Sequence, residues 1–237
     1  MLGVFSGDLV EVPAELVVAG NRTPSPKTRA SELVNRFLKS ASPAVSIQLA
    51  GLGHLAYSHA NQSPFSPRLF AAKDEIYCLF QGLLTNLGSL RQQYGLSKSA
   101  DESVLVIEAY RALRDRAPYP PSFMLGHLAG SFAFVLFDKS TSSVLVASDP
   151  DGRVPFFWGI TADGCIAFSQ DLDLLKGSCG KSLAPFPKGC YYSNAFGGLK
   201  SYENPKHKVT AVLEEDEEEV CGATFKVEGS AAIAATH

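Results

Sequence analysis

The sequence predicts an α+β fold in which helix layers cover antiparallel sheets. Residues 128–169 read almost continuously as paired strands, and Gly130-Ser-Phe-Ala-Phe-Val-Leu-Phe-Asp138 is apolar on both faces, as suits a strand covered on both sides. Helical segments fall in groups between runs of strands, in the order β, α, ββ, αα and then a β meander, which segregates the helices outside the sheets. At 237 residues, 46% hydrophobic and 19% charged, the chain can bury roughly 70–75% of its unfolded surface around one large core.

Taken in order, Leu2 to Val10 reads as a strand, and residues 20–29, polar with Pro24 and Pro26, as a loop. Ala30, Leu33, Val34, Phe37 and Leu38 form one face of an amphipathic helix that stops before Pro43. Val45 to Tyr57 is a strand pair broken at Gly51-Leu-Gly53. Residues 61–67 are a loop, and Ile76 to Phe80 is a strand that runs into Gln81-Gly82. Asn86 caps a short helix whose Leu87, Leu90 and Tyr94 share a face, with Gly95 just past its end. Ser99-Ala-Asp-Glu102 fits a capping box for a helix that buries Val106, Ala109, Tyr110 and Leu113. In the meander, Val144 to Ser148 follows a polar turn, and Asp149-Pro-Asp-Gly152 supplies the next reversal. Val154 to Trp158 and Cys165 to Phe168 then flank the turn Asp163-Gly164, and Pro185 to Tyr202 reads as a last hairpin about Gly197-Gly198.

Residues 1–202 show no break in composition and read as one domain. Residues 203–237 change character. Glu214 to Glu219 is a block of like charge and Ser230 to Thr236 is Ala-rich, so this stretch is expected to be a C-terminal appendage with disordered parts, with 220–227 as an edge strand. A formal net charge of −3 gives no basis for binding nucleic acid or an anionic membrane. No apolar run approaches the roughly 18 residues of a membrane span, and no basic region precedes the first apolar residues as in a signal peptide. Cys78, Cys165, Cys179, Cys190 and Cys221 include no CxxC pair and are expected as reduced thiols in a cytoplasmic or nuclear protein.

The meander, with Ser148-Asp-Pro-Asp-Gly152 and Val154-Pro-Phe156, resembles the glutaminase domain of asparagine synthetases and other class-II glutamine amidotransferases. Phe80-Gln-Gly-Leu-Leu-Thr-Asn86, Ser99-Ala-Asp-Glu102 and Phe186-Pro-Lys-Gly189 are similar to further segments of that superfamily. Within it, Tyr94-Gly95-Leu96, Leu113-Arg-Asp-Arg116 and Val220-Cys-Gly-Ala-Thr-Phe225 resemble the plant aluminium-induced proteins with YGL and LRDR motifs, the stem-specific or auxin-induced group. The resemblance covers about residues 1–227. It implies an Ntn-hydrolase-like αββα four-layer sandwich, two antiparallel sheets between helix layers.

The resemblance also implies a site. Active members begin, after removal of Met, with a cysteine whose thiol attacks the glutamine amide and whose α-amine can act as base. Leu2 stands at that position, and its bulk is expected to keep Met1 in place, leaving the amine ~3.8 Å from where it is needed. A displacement of ~1 Å already costs about a hundredfold in rate, so no catalytic residue is expected. Four positions correspond to substrate-binding residues and are read as vestigial. Gln81 and Gly82 stand at the oxyanion hole, Asp101 at the acid that holds the substrate ammonium, and His59 near the carboxylate-binding arginine. Gly82 keeps a backbone donor, Gln81 is one methylene longer than the family's Asn, and Leu83 replaces a Glu. Asp101 has a local reading too, as a charge favouring its helix dipole. Leu2 is expected on an inner strand, pointing into the former pocket near Gly82.

Other candidates are plainer. Ser6 and Cys78 are alternative nucleophiles, but a lone Cys on an apolar strand usually packs as a small hydrophobe. His54, His59 and His127 lack metal-ligand spacing. Arg114-Asp-Arg116 reads as an anion clamp or, more simply, as basic residues complementing a helix C-terminus, and the acidic run as a solvated tail. The expected function is a catalytically silent amidotransferase-like binding or regulatory module in plant stress and hormone responses. It is expected to be a homodimer with unknown protein partners, without cofactor or metal. The alternatives are an Ntn-type amidohydrolase using another nucleophile and a sensor of a small amino-acid-like ligand.

Overall fold

The computed structural model describes residues 1–22, 25–60, 68–116, 119–214 and 219–229. In chain order these form β1 (Leu2–Phe5), α1 (Ala14–Arg22), α2 (Ala30–Ser40), β2 (Ala44–Gln48), β3 (Gly53–Ser58), β4 (Arg68–Lys73) and β5 (Ile76–Leu84). Then come α3 (Leu87–Gln93), α4 (Glu102–Asp115), α5 (Pro121–Leu125), β6 (Gly130–Asp138), β7 (Ser143–Ser148), β8 (Phe157–Ile160) and β9 (Ile166–Ser169). The chain continues through α6 (Leu172–Cys179), β10 (Leu183–Pro185), β11 (Cys190–Ser193), β12 (Gly198–Ser201), β13 (Val209–Leu213) and β14 (Ala223–Val227).

The two-sided apolar pattern of β6 has a direct cause. Phe132, Phe134 and Leu136 enter one core and Ala133, Val135 and Phe137 another, because successive side chains leave a strand on opposite faces. One six-stranded antiparallel sheet has the order β10-β8-β9-β1-β3-β2 and the other β12-β11-β7-β6-β5-β4. Three cores result. The first lies between the sheets, with Phe5, Leu79, Val135, Trp158 and Phe168. The second lies under α3, α4 and α5, with Phe80, Phe134, Tyr110 and Leu113. The third lies under α2 and α6, with Leu33, Phe37, Leu174 and Leu175. Helix, sheet, sheet, helix is the expected αββα sandwich.

The meander is divided, which the local sequence does not show. β6 and β7 pair with each other in one sheet, whereas β8 and β9 pair in the other. Residues 149–156 therefore cross between sheets. Buried Asp149 fixes the crossing: its carboxylate accepts the amides of Phe132 (3.0 Å) and Gly152 (2.7 Å). The strand expected in 220–227 is β14; it pairs with β13, and Phe225 meets the ring of Trp158 at 5.0 Å. Of the acidic run, residues 215–218 lie outside the described residues, as do 230–237. No described helix is long and apolar enough to cross a membrane.

Candidate functional site

β1 is central in its sheet, between β3 and β9, with Leu2 opposite Ala56 and Ser169. Its alternation decides where residue 2 points. Met1 and Phe5 belong to the core between the sheets, and a Cβ on Gly3 would lie 2.9 Å from Val135 of the opposite sheet. Leu2 and Val4 face the other way, into the layer that holds Leu33, Val34 and Phe37 of α2 and Leu174 and Leu175 of α6. Leu2 is fully buried there. The expected orientation toward a pocket near Gly82 is thus not observed; apolar helix contacts on the far side of the sheet hold the leucine instead.

The corresponding polar positions are spread over both sheets and their surroundings. Gln81 and Gly82 lie on β5, opposite Ala133 and Phe132 of β6. Gln81 shares the strand face of Leu79, toward the space between the sheets, and its Oε1 is buried without a hydrogen-bond partner. Gly82 has φ +119°, and a Cβ there would lie 2.0 Å from the Ser131 carbonyl oxygen, so close strand approach itself demands glycine. Leu83 is solvent-exposed. His59 follows β3 on the surface, with its ring 5.4 Å from that of Tyr57.

Asp101 makes the contacts of a helix cap. Its Oδ1 accepts the amide of Val104 (3.0 Å) and the hydroxyl of Ser103 (2.7 Å), satisfying one of the orphan donors at the start of α4. The capping box expected to start at Ser99 does not form. The helix begins at Glu102, and Ser99 bonds Ser97 instead (2.8 Å). Asp101→Ala is expected to cost about 1 kcal/mol of stability and Asp101→Ser much less. Urea unfolding midpoints check this; an unchanged midpoint in Asp101→Ala would remove the capping role.

Both short motifs have structural work. Tyr94-Gly-Leu96 closes α3 as a Schellman cap: the Leu96 amide donates to the Arg91 carbonyl (2.8 Å) and the Gly95 amide to that of Gln92 (3.2 Å), with Gly95 at φ +64°. Leu113 enters the core under α4. Arg114 reaches Asp138 at the end of β6, Nη1 to Oδ2 2.9 Å, and Asp115 at 2.8 Å. Asp138 is fully buried. Burial alone would raise its carboxyl, but bonds from Ser140 and Arg114 outweigh that and hold it below the usual carboxylate range. Arg114 thus complements the helix end and in addition neutralises a buried counter-ion.

All five cysteines are free, and burial pushes every thiol up: Cys179 and Cys190 to about 12, Cys78 well above its ordinary value with Asp101 adding to the effect. A thiol so placed carries almost no thiolate at neutral pH. Among the described residues no group of His, Cys, Asp or Glu is arranged to hold a metal ion. A cleft of about 500 Å³ runs along α3, α4 and α5, with Tyr94, Arg116, Tyr119 and Phe123 at its walls. Another of about 690 Å³ lies beside α1 and β12. Neither is lined by Leu2, Gln81, Gly82, Asp101 or His59.

The chain is similar to several known proteins. A stem-specific protein, TSJT1, of Nicotiana tabacum is 39% identical over 149 residues, covering 62% of this chain and 99% of that protein. A probable glutamine-hydrolysing asparagine synthetase of Dictyostelium discoideum is 41% identical over 78 residues, 33% of this chain and only 14% of the enzyme. Among solved structures, a glutamine phosphoribosylpyrophosphate amidotransferase from B. subtilis superposes with a TM-score of 0.45 at 17% identity, covering 63% of this chain and 34% of that one. The sequence model of the aluminium-induced protein family matches residues 2–227, and the chain belongs to that family.

Proposed function

We propose that this protein is a catalytically silent amidotransferase-like module that acts by binding, in plant stress or hormone responses, in the cytoplasm or nucleus and as a homodimer. One observation supports the reading: Leu2, which the resemblance sets at the nucleophile's place, is fully buried under α2 and α6. A leucyl side chain supplies neither nucleophile nor proton acceptor. The raised thiols argue against an amidohydrolase that has moved its chemistry to Cys78 or another cysteine. The stress setting is taken from the family's description as aluminium-induced proteins.

Glutaminase assays on the native protein and on Leu2→Cys test this. The native protein is expected to show at most a residual acceleration of roughly 10³–10⁴ over water, such as a binding site alone can give, against 10⁶ or more for a working enzyme. Leu2→Cys is expected to lose about 1–3 kcal/mol of stability through the cavity it leaves. It should gain no efficient turnover, because the side chain enters the helix layer. Native turnover of glutamine near ~1 s⁻¹, persisting when all five cysteines are replaced, would overturn the proposal.

A second reading, a sensor of an amino-acid-like ligand, is favoured by the orphaned Gln81 Oε1, since an unpaired buried acceptor costs about 1–3 kcal/mol that a ligand donor would recover. Thermal-shift measurements with free amino acids separate the two; a concentration-dependent rise in melting temperature supports the sensor.

A further inference from the structure

Each open sheet leaves two edge strands: β10 and β2 in one, β12 and β4 in the other. An edge presents unpaired N–H and C=O groups, and proteins blunt it with charge, proline, shortness or a cover. Three of these edges are blunted. β4 ends in Lys73. β10 is three residues long, ends in Pro185, and has the Gly222 amide donating to its Leu183 carbonyl (2.9 Å). β12 is four residues long, opens on Gly198 and carries Lys200.

β2 has none of these devices. Ala44-Val-Ser-Ile-Gln48 is five residues, uncharged, without proline or glycine, and β3 is its only ladder partner among the described residues. The absence of charge extends well beyond the strand. Residues 40–67 contain no Asp, Glu, Lys or Arg, where a stretch of that length at the chain's 19% would hold about five, the usual guards of an edge. Val45 is 51% exposed, and Ser46 and Gln48 are exposed as well.

We infer that β2 is the surface through which two copies of this chain pair, antiparallel, about a two-fold axis at Ser46. This rests on the homodimer reading above and names its interface. Identical strands meeting antiparallel satisfy two-fold symmetry, since each offers the other the same edge. Centring on Ser46 sets Val45 against the partner's Ile47 and Ala44 against the partner's Gln48. The β-branched pair suits a sheet surface. Ile47 packs against the core between the sheets, and Val45 lies on the same strand face, opposite Tyr57, whose ring stacks on Phe70 at 4.8 Å. The pairing therefore continues the apolar row from Phe70 through Tyr57 and Val45 to the partner's Ile47, and joins the two sheets into one. The helix α2 packs on β2, so the same axis brings the two α2 helices near each other.

Light scattering and sedimentation of the full chain at ~50 μM test the pairing. The native protein is expected as a dimer. Ser46→Lys sets two ammonium groups opposite each other at the axis and should weaken dimerisation at least ~100-fold, giving monomer with unchanged circular dichroism. Gln48→Lys, off the axis and exposed, serves if Ser46→Lys does not fold. Ser46→Cys should cross-link to dimer with a short bismaleimide, while Ser99→Cys on the other helix layer should not. A native monomer at this concentration overturns the homodimer and the interface together. A dimer that survives both lysine variants, with no cross-link from Ser46→Cys, leaves the homodimer standing and overturns β2 as its interface.

Discussion

Replacing Arg114 with alanine is expected to destabilise the protein by about 3–5 kcal/mol, because it leaves a buried carboxylate without its counter-charge. Asp138 has no solvent exposure, and the Arg114 guanidinium is its only ion-pair partner among the described residues. Ser140 still donates from its amide (2.9 Å) and hydroxyl (2.6 Å), which limits the loss and keeps the fold measurable. For a chain of this length the melting temperature should fall by roughly 10 °C. The pH dependence gives a second readout. The folded carboxyl of Asp138 lies below its ordinary range, so it contributes stability at pH values above that range, and this is lost as pH falls through the folded value. The native protein should therefore lose stability steeply toward acid, and Arg114→Ala should flatten that slope. Asp138→Asn combined with Arg114→Ala should recover part of the loss, since the pair couples and the amide has no charge to compensate. Urea unfolding from pH 3 to pH 7 measures all of this. A loss below about 1 kcal/mol in Arg114→Ala would show the pair to be incidental.

How much of this was legible beforehand differs from element to element, for physical reasons. α2 and α4 were readable because their buried residues, such as Leu33, Val34 and Phe37 or Val106, Ala109 and Tyr110, recur at helical spacing. α1 is not legible in the sequence because its buried face is only Leu16, Ala19 and Gly20, while Val17 and Val18 face solvent and blur the pattern. α6 carries a usable signal in the sequence, a capping Asp171 that accepts the Leu174 amide (3.0 Å). The sheet to which a strand belongs was not legible, since a turn such as 149–152 has the same chemistry whether it makes a hairpin or a crossing. Contacts distant in sequence were invisible too. Asp163, in the β8–β9 turn, accepts the first amide of α2 at 3.0 Å, a cap supplied from 133 residues away. At the candidate site, the identity of the residue that the resemblance sets at the nucleophile's place, Leu2, was legible from the sequence alone. The direction of Leu2 was not, because alternation defines two faces without saying which one the helices cover.

Gly82→Ala is expected to cost about 2–6 kcal/mol, a conformational penalty and a steric one together. At φ +119° a side-chain-bearing residue is strained by about 1–3 kcal/mol. The added methyl would also stand 2.0 Å from the Ser131 carbonyl oxygen and 2.9 Å from the Phe132 Cα, both main chain, so no side chain can swing aside to receive it. β5 and β6 would have to part at their pairing of Gly82 with Phe132, and overpacking of that kind adds about 1–3 kcal/mol. Gly95→Ala offers the comparison: φ is +64° and nothing lies within 4 Å of the added carbon, so it should show the conformational strain alone, about 1 kcal/mol. Denaturant unfolding of the two variants side by side is the measurement. A Gly82→Ala protein no less stable than Gly95→Ala would mean that β5 does not need a glycine for its packing.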